Sequence, residues 1–334
     1  NYENNMKLFG LADCNNFYCS CERVFHPDLR YKPVIVLSNN DGCVVARSEE
    51  SKKLGIKMGV PFYQIRDLIE KKGVAVFSSN YNLYGDMSKR VMSLLSSFFP
   101  KINIYSIDEA FIDLSEMEDI DYLLEISHKA VKSIYKGVGI PISLGIAPTK
   151  TLAKMASVFA KKHKGYKGVC IIDTDEKREK ALKLFPVGDV WGIGRKHSKK
   201  LEYYGVKTAW DFTQKPEGWV RREMSITGLR TWKELRGESC IDDEDVSYKK
   251  SICTSRSFPN QGLNKIEDLE EAIANFAAMC SKKLREQHTV CQTIIVFAYT
   301  SRFRDDVPQN YINEIVNLDV PTNDIQEIVS MAVK

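Results

Sequence analysis

The sequence predicts an α+β protein whose first part is a split βαβ (ferredoxin-like) unit, an antiparallel sheet with two helices on one face. Strands and helices follow the order β-α-β-β-α-β between residues 7 and 147, once residues 16–77 are set aside as an insertion. Residues 170–240 then have the pattern of short basic helices, and a smaller α/β unit follows from residue 250. With 334 residues, 43% of them apolar, the chain is long enough for several cores.

The elements of the split unit are predicted from their apolar periods and their stop signals. A strand ends at Asp13, and a helix follows the insertion, with apolar residues at three- and four-residue steps until Pro100 stops it. A polar turn separates the next two strands, and a second helix and a last strand complete the unit. The predicted spans are 7–12, 84–98, 102–105, 110–114, 123–134 and 141–147.

Two further stretches predict how the chain continues. Residues 149–162 have the pattern of another helix, with its lysines on a different stripe from its apolar residues. In the last unit, a strand over 251–257, a helix over 269–284 and a strand over 293–299 are predicted. The sequence ends inside a predicted helix, so we expect this unit to be truncated.

Basic residues are concentrated in one part of the chain. The formal net charge is only +4, but residues 150–236 contain 21 Lys and Arg against 10 Asp and Glu. That local excess of +11 leaves about −7 for the remainder. The asymmetry suggests contact with a polyanion such as nucleic acid, although a charge excess alone favours a solvated basic surface.

The apolar and cysteine content of the sequence narrows the class of protein and its compartment. No apolar run approaches the roughly 18–20 residues that span a bilayer, which excludes an integral membrane protein. Nine cysteines without framework spacing indicate a reducing compartment, so we expect a cytoplasmic protein. Cys19 and Cys21, with His26 and Cys43, leave a zinc site open, although zinc sites usually contain Cys-x-x-Cys pairs.

Three carboxylates are expected to meet at one edge of the sheet. Asp13 ends the first strand, and Asp108 and Glu109 lie between two strands of which one neighbours it. Acids this close repel one another unless a cation lies between them, and oxygen ligands without His or Cys suit Mg²⁺. Because adjacent strand residues face opposite ways, both acids can line one site only if a turn covers residues 106–109, which we predict. The alternative is that these acids only cap a turn.

Four segments resemble, in order and spacing, the Y-family DNA polymerases and their UmuC-like branch. The resemblance extends from about residue 7 to residue 299. The segments are Asp13–Tyr18, Leu37–Cys43, Ser106–Phe111 and Gly145–Lys154.

The resemblance implies four structural parts, each with its own predicted range. Residues 7–15 and 78–169 would form the palm, and residues 16–77 the inserted fingers. Residues 170–240 would form a helical thumb with a helix-hairpin-helix. Residues 241–249 would be a linker and residues 250–334 a truncated little finger.

The resemblance also implies a two-metal site. Asp13, Asp108 and Glu109 match the catalytic metal ligands of the family, and the backbone carbonyl of Cys14 matches its main-chain ligand. The implied cofactor is Mg²⁺, two ions per active site, and the implied substrate is a deoxynucleoside triphosphate (dNTP).

Aromatic and basic residues match the nucleotide contacts of the family. Tyr18 matches the steric gate, whose ring would collide with a ribose 2′-hydroxyl, and Phe17 beside it would pack against the incoming nucleotide. Lys161 and Lys52 match positions that touch the triphosphate, and Arg47 is a weaker candidate there.

Two features of the predicted fingers fit the family less specifically. Many relatives carry a tyrosine that contacts phosphate where this chain has Glu49, so Glu49 is left out of the predicted site. Residues 40–43 match a loop over the nascent base pair, and an ordinary surface turn explains them equally well.

DNA contacts are predicted in the thumb and the little finger. The Gly-x-Gly turn at 192–194 resembles a helix-hairpin-helix, whose backbone N–H groups approach a phosphate without reading sequence. A plain surface role remains open for the basic side chains. The predicted DNA-binding residues are Gly192, Gly194, Arg195, Lys196 and Arg256.

The function implied is error-prone translesion DNA synthesis in the SOS response, by transfer of a deoxynucleotide to a primer 3′-hydroxyl. The implied partners are primer-template DNA, a UmuD-like accessory protein, a recombinase filament and the sliding clamp, with a nucleoid-associated cytoplasmic location. Two alternatives stay open. A non-catalytic DNA-binding subunit or scaffold would keep the basic thumb, and a nucleotidyl cyclase would share the palm and its metals.

Overall fold

The computed structural model describes residues 7–117, 119–242, 250–258, 262–302, 304 and 306–334. They belong to two compact units: unit 1 ends at Asp243, and unit 2 begins at Glu244. Among the described residues, no helix combines the length and the apolar character needed to cross a membrane.

The strands and helices alternate along the described chain. The strands are β1 (Phe9–Cys14), β2 (Val34–Leu37), β3 (Val44–Arg47), β4 (Ala75–Phe77), β5 (Ile102–Ile104), β6 (Glu109–Asp113), β7 (Ile142–Ala147), β8 (Val169–Ile171), β9 (Cys291–Tyr299) and β10 (Tyr311–Thr322). The helices are α1 (Phe17–Phe25), α2 (Glu49–Lys53), α3 (Arg66–Lys72), α4 (Tyr81–Phe98), α5 (Ile120–Val138), α6 (Lys150–Lys162), α7 (Asp175–Leu184), α8 (Arg195–Tyr203), α9 (Ala209–Thr213), α10 (Glu217–Leu235), α11 (Ile266–Glu286) and α12 (Ile325–Val333).

The central sheet of unit 1 confirms the predicted split βαβ unit. Its strand order is β5-β6-β1-β7-β8, and β1 pairs antiparallel with both β6 and β7. The strand β8, parallel to β7, was not predicted. The segment between α1 and α4 contains a second, three-stranded sheet of order β3-β2-β4, which the sequence did not predict either.

The two faces of the central sheet are buried by different helices. Alternate residues of a strand point to opposite faces, so Ala12 and Ile112 join a core with α4 and α5, whereas Leu11 and Phe111 join one with α6. The second core continues into α7 to α10. Helix α6 therefore lies between the sheet and these later helices.

Caps fix where the helices of the central unit begin. The Asn80 side chain accepts a hydrogen bond from the Leu83 N–H at the start of α4, and the Asp119 carboxylate accepts two at the start of α5. The Thr149 hydroxyl accepts one from the Leu152 N–H at the start of α6. Each cap satisfies N–H groups that have no partner inside the helix.

A buried glutamate joins the start of α6 to the end of α10. Glu234 is fully buried, and its carboxylate accepts hydrogen bonds from the N–H groups of Thr151 (3.0 Å), Cys240 (2.8 Å) and Ile241 (3.1 Å). The Thr149 hydroxyl donates to the Glu234 carbonyl at 2.9 Å. The two helices are thus linked through backbone groups as well as through apolar packing.

Unit 2 contains α11, the antiparallel pair β9–β10, and α12. The predicted helix over 269–284 and strand over 293–299 are confirmed, within slightly longer elements. The predicted strand over 251–257 is wrong: residues 251–258 have no regular secondary structure. A strand needs a partner for its backbone groups, and the described sheet of unit 2 pairs only β9 with β10. Most of the predicted linker, residues 243–249, lies outside the described residues.

Gly145 allows α6 to pack directly against β7. A Cβ atom built on Gly145 would lie 2.1 Å from both the Ala153 carbonyl oxygen and the Ser157 nitrogen. We expect Gly145→Ala to lower the free energy of unfolding by about 3 kcal/mol or more, because the obstacle is backbone that cannot rotate away. Thermal unfolding of the purified variant measures the change.

Gly165→Ala is the matched control, since a Cβ there would meet nothing within 4 Å. We expect it to change the free energy of unfolding by less than about 0.5 kcal/mol. Equal stability of the two variants would contradict the close α6–β7 contact.

Candidate active site

Pairing of β1 with β6 brings the three predicted carboxylates to one edge of the central sheet. Asp13 lies directly opposite Glu109 in the antiparallel register, so their side chains share a face. The Cys14 N–H donates to the Asp108 carbonyl at 2.8 Å. Strand and turn thus place these residues beside one another although about ninety-five positions separate them in the sequence.

The predicted turn before Glu109 is present. Residues 106–108 form bends, and β6 begins only at Glu109. The N–H groups of Tyr105 and Ser106 both donate to the Glu109 carbonyl, at 3.0 and 3.1 Å. Asp108 therefore lies on the turn rather than on the strand, and the rule that neighbouring strand residues face opposite ways does not separate it from Glu109.

Each of the three carboxylates has a hydrogen-bond donor beside it. Lys161 Nζ lies 3.0 Å from Asp13 Oδ1, and Lys154 Nζ lies 2.7 Å from Glu109 Oε1. The Ser106 hydroxyl donates to Asp108 Oδ1 at 2.7 Å. Because the two lysines are seven residues apart on α6, they project from the same side of that helix.

Electrostatics at this edge disfavour uncompensated negative charge. Burial raises the pKa of Asp13, while the ion pair with Lys161 opposes that shift and the nearby Asp108 charge adds to it. An anion in this position gains from a positive neighbour.

The donor set fits a divalent cation by atom type and by charge. Carboxylate oxygens with a backbone carbonyl are ligands that Mg²⁺ prefers. Within the part of the chain that the structure describes, no three His, Cys, Asp or Glu side chains are grouped as a metal centre would require. The Asp13 and Glu109 carboxylates are instead paired with Lys161 and Lys154, so a cation between the acids would have to displace these ammonium groups and draw the carboxylates together.

The two aromatic residues at the start of α1 have different surroundings. Asn16, in the left-handed conformation (φ 48°), turns the chain from β1 into α1. Phe17 is only 4% exposed and packs in the core, so it presents little surface to a ligand. Tyr18 is partly exposed, and its ring stacks on the Tyr84 ring with centroids 4.2 Å apart.

Lys52 belongs to a small polar network between the β1–α1 turn and α2. Its ammonium group donates to Glu49 Oε1 at 2.5 Å and to Asn16 Oδ1 at 2.8 Å. Burial acts to raise the pKa of Glu49, but the hydrogen bonds from Lys52 and Asn16 outweigh it and the pKa is lowered. Glu49, left out of the predicted site, thus directly holds one of its lysines. Arg47 donates to the Ile56 carbonyl at 2.7 Å.

The predicted Gly-x-Gly turn precedes α8. Gly192 has φ 88°, and a Cβ there would lie 2.6 Å from the Thr231 hydroxyl oxygen, so glycine is needed at this position. Gly194 is the N-cap of α8, which begins with Arg195 and Lys196, both exposed. Arg256 is an exposed residue of unit 2.

Trp191, the residue before this turn, lies against the central sheet. Its ring is 5.7 Å from that of Phe111, and the ammonium group of Lys154 lies 5.1 Å from the Trp191 ring and 5.0 Å from the Tyr105 ring. The aromatic rings therefore hold the lysine that pairs with Glu109. The sequence placed Lys154 on the basic stripe of this helix and at the end of the resembling segment Gly145–Lys154, but it gave no sign of the contact with Glu109.

The cysteines near α1 do not favour the zinc alternative. Cys19 and Cys21 are buried, and burial raises the pKa of Cys19 to about 12. Among the described residues, no three His, Cys, Asp or Glu side chains are grouped so that they could hold a metal ion. The His26 ring instead packs against Phe77, with centroids 5.2 Å apart.

Comparison with solved structures defines the class of protein. A chimera of the Y-family DNA polymerases Dbh and Dpo4 superposes with a TM-score of 0.75 at 19% identity, covering 98% of this chain and 92% of that one. At this identity the likeness establishes the fold, which is that of the Y-family polymerases.

Sequence comparison defines the branch. Models of the impB/mucB/samB family and of its C-terminal domain match residues 12–158 and 249–334. UmuC of Salmonella typhimurium is 42% identical over 303 residues, which are 90% of this chain and 72% of that protein. ImpB of Salmonella typhimurium is 44% identical over 300 residues, 89% of this chain and 70% of that protein. The chain belongs to the impB/mucB/samB family, the UmuC branch of the Y-family polymerases. It is a DNA polymerase of the error-prone translesion type that acts in SOS mutagenesis.

The raised pKa of Asp13 predicts a stability effect that is separate from activity. Where burial raises a carboxyl pKa, the folded state binds more protons than the unfolded state between pH 3.8 and the raised value, so stability falls as pH rises through that window. Neutral Asn avoids this cost. We expect Asp13→Asn, in a chelating buffer at pH 7, to raise the unfolding midpoint by a few degrees at most, at about 2–4 °C per kcal/mol.

The gain should shrink as the pH is lowered through the raised pKa of Asp13, because the wild-type carboxyl then takes up its proton. Asp175→Asn serves as the control, because the Asp175 side chain is 88% exposed and its ion pair with Arg178 lies at the surface, where such pairs contribute little to stability. A lower midpoint for Asp13→Asn at pH 7 would mean that the Lys161 ion pair outweighs burial.

Proposed function

We propose that the chain transfers a deoxynucleotide to a primer 3′-hydroxyl opposite a template base, releasing pyrophosphate. The observation that carries this proposal is the β1–β6 register, with Asp13 opposite Glu109 and Asp108 on the adjoining turn. Membership of the UmuC branch supports it independently. The substrates would be a dNTP and primer-template DNA.

Asp13, Asp108, Glu109 and the Cys14 carbonyl would hold two Mg²⁺ ions. Bound there, the ions would supply activation of the 3′-hydroxyl and neutralise charge on the departing pyrophosphate. The role of the protein is to fix the carboxylates on a strand pair and a turn. Such preorganised groups stabilise developing charge without moving during the reaction.

Cationic side chains would receive the triphosphate. Lys161 pairs with Asp13, and the ammonium group of Lys52, from α2, contacts Asn16 at the β1–α1 turn, so both cations flank the start of α1. The triphosphate would have to displace Glu49 from Lys52, since both anions use the same ammonium group. Arg47 is already engaged by the Ile56 carbonyl, which makes it the weaker contact.

Tyr18 would act as the steric gate, and Phe17 would support it from the core. The proposed DNA-binding residues are Gly192, Gly194, Arg195, Lys196 and Arg256.

We also propose the finer biological setting: a UmuD-like accessory protein, a recombinase filament and a sliding clamp as partners in a nucleoid-associated cytoplasmic location. The palm would comprise residues 7–15 and 78–169, and the fingers residues 16–77. The thumb would comprise residues 170–240, and the little finger residues 250–334.

Primer extension tests the reaction. On a primed template with Mg²⁺ and dNTPs, we expect the wild-type chain to extend the primer and Asp108→Ala to lose at least about a hundredfold in rate, because one group that stabilises the transition state is removed. The control is Asp175→Ala, an exposed carboxylate on α7, which should extend at the wild-type rate.

Other outcomes identify the alternatives. Binding of primed DNA without extension by the wild-type chain would favour a scaffold. A cyclic nucleotide product formed without primer would favour a cyclase.

Sugar selection tests the gate. We expect Tyr18→Ala to reduce the preference for deoxynucleotides over ribonucleotides by roughly tenfold or more, since the ring that would exclude the 2′-hydroxyl is gone. The ratio of kcat/KM for the two sugars measures it. Tyr31→Ala, at an 82% exposed tyrosine, is the control, and an unchanged ratio in Tyr18→Ala would refute the assignment.

A further inference from the structure

Three side chains from two helices form a continuous contact: Tyr18, Tyr84 and Glu22. The Tyr18 ring stacks on the Tyr84 ring, with centroids 4.2 Å apart and planes inclined by 14°. The Tyr84 hydroxyl donates to Glu22 Oε1 at 2.8 Å. Glu22 lies four residues after Tyr18 on α1, so the same helix carries both ends of this contact.

The middle of this contact is fully buried. Tyr84 has 0% exposure and Glu22 only 7%, so little water reaches their hydrogen bond. A hydrogen bond from a neutral donor to a carboxylate is among the stronger kinds in proteins. Tyr84 belongs to α4, whose neighbouring residues Met87 and Val91 are in the core, and the position of its ring is therefore well defined.

Packing alone does not hold the whole assembly. An open cleft of about 640 Å³ lies beside it, lined by Glu22, His26, Tyr81 and the 77–80 segment. Tyr81, on the cleft wall, meets both the Tyr18 and the Tyr84 rings edge-on. On that side the stack is held by the Tyr81 ring and by the Glu22–Tyr84 hydrogen bond, which adds to the packing of Tyr84 in the core.

We propose that Glu22 and Tyr84 are positioning residues that hold the Tyr18 ring in place and thereby set how strongly ribonucleotides are rejected. The proposal rests on the proposed function, in which Tyr18 is the gate. A ring excludes a hydroxyl group only if the ring cannot give way. The preference for deoxynucleotides therefore depends on how rigidly Glu22 and Tyr84 hold the Tyr18 ring.

The test compares kcat/KM for a deoxynucleotide and its ribonucleotide in primer extension. Tyr84→Phe keeps the ring stack and removes only the hydroxyl. We expect the sugar preference to fall roughly tenfold, the order of one hydrogen bond to a charged group. The kcat/KM for the deoxynucleotide should stay within about threefold of wild type. The Tyr84 hydroxyl helps to exclude the ribose 2′-hydroxyl but takes no part in the reaction itself.

Glu22 provides the complementary variants. Glu22→Gln keeps an oxygen that accepts the Tyr84 hydrogen bond and should retain the sugar preference, whereas Glu22→Met should lose it as Tyr84→Phe does. The double variant Glu22→Met/Tyr84→Phe should be no worse than either single variant, because all three lack the same bond.

Tyr81→Phe is the matched control. It removes a hydroxyl from the same helix and from a ring that also touches Tyr18, but no hydrogen bond of this hydroxyl is found among the described residues. We expect it to keep the wild-type sugar preference.

Two results would overturn the proposal in distinguishable ways. If Tyr84→Phe lowers the thermal unfolding midpoint but leaves the sugar preference unchanged, the contact is structural only. If Tyr18→Ala itself leaves the preference unchanged, the gate assignment fails and this inference fails with it. Should Tyr84→Phe not fold, equal preferences in Glu22→Gln and Glu22→Met decide against the proposal.

Discussion

The antiparallel register of β1 and β6 is the constraint on which the candidate site depends. It fixes Asp13 opposite Glu109, while the turn at 106–108 places Asp108 before the strand begins. A shift of one residue would move Glu109 to the opposite face and break the site apart. Because both strands contribute alternately to two cores, such a shift would also move residues of each core into the other, where their sizes do not fit.

The three acids at this edge of the central sheet need positive charge from other parts of the molecule. Helix α6 does so with Lys154 and Lys161, spaced by two turns, and aromatic rings of Tyr105 and Trp191 hold the first of them. The same helix packs so closely on β7 that only glycine fits at position 145. Charge compensation and close packing are therefore provided by one element.

Much of unit 1 could be predicted from the sequence, because its strands and helices are long enough to show a period and its acids follow strand ends. The three-stranded sheet of β2, β3 and β4 could not be predicted. Its strands of three or four residues lie in a segment that mixes apolar runs with turns, and β2 pairs with β4 although they are 41 positions apart. The strand expected over 251–257 had the right residue types but has no described partner. Contacts such as Lys154–Glu109 and Tyr84–Glu22 join residues 45 and 62 positions apart, and only the packing of helices brings them together.

The buried carboxylate of Glu234 couples the position of α6 to that of α10. It binds the first turn of the helix that carries Lys154 and Lys161, and also the backbone of residues 240–241. A displacement of α10 must either draw α6 along or leave a buried charge without its donors, which costs several kcal/mol, of order 3–5. Because apolar packing and the Thr149–Glu234 hydrogen bond join the same two helices, Lys154 and Lys161 project from a helix whose start is anchored to α10.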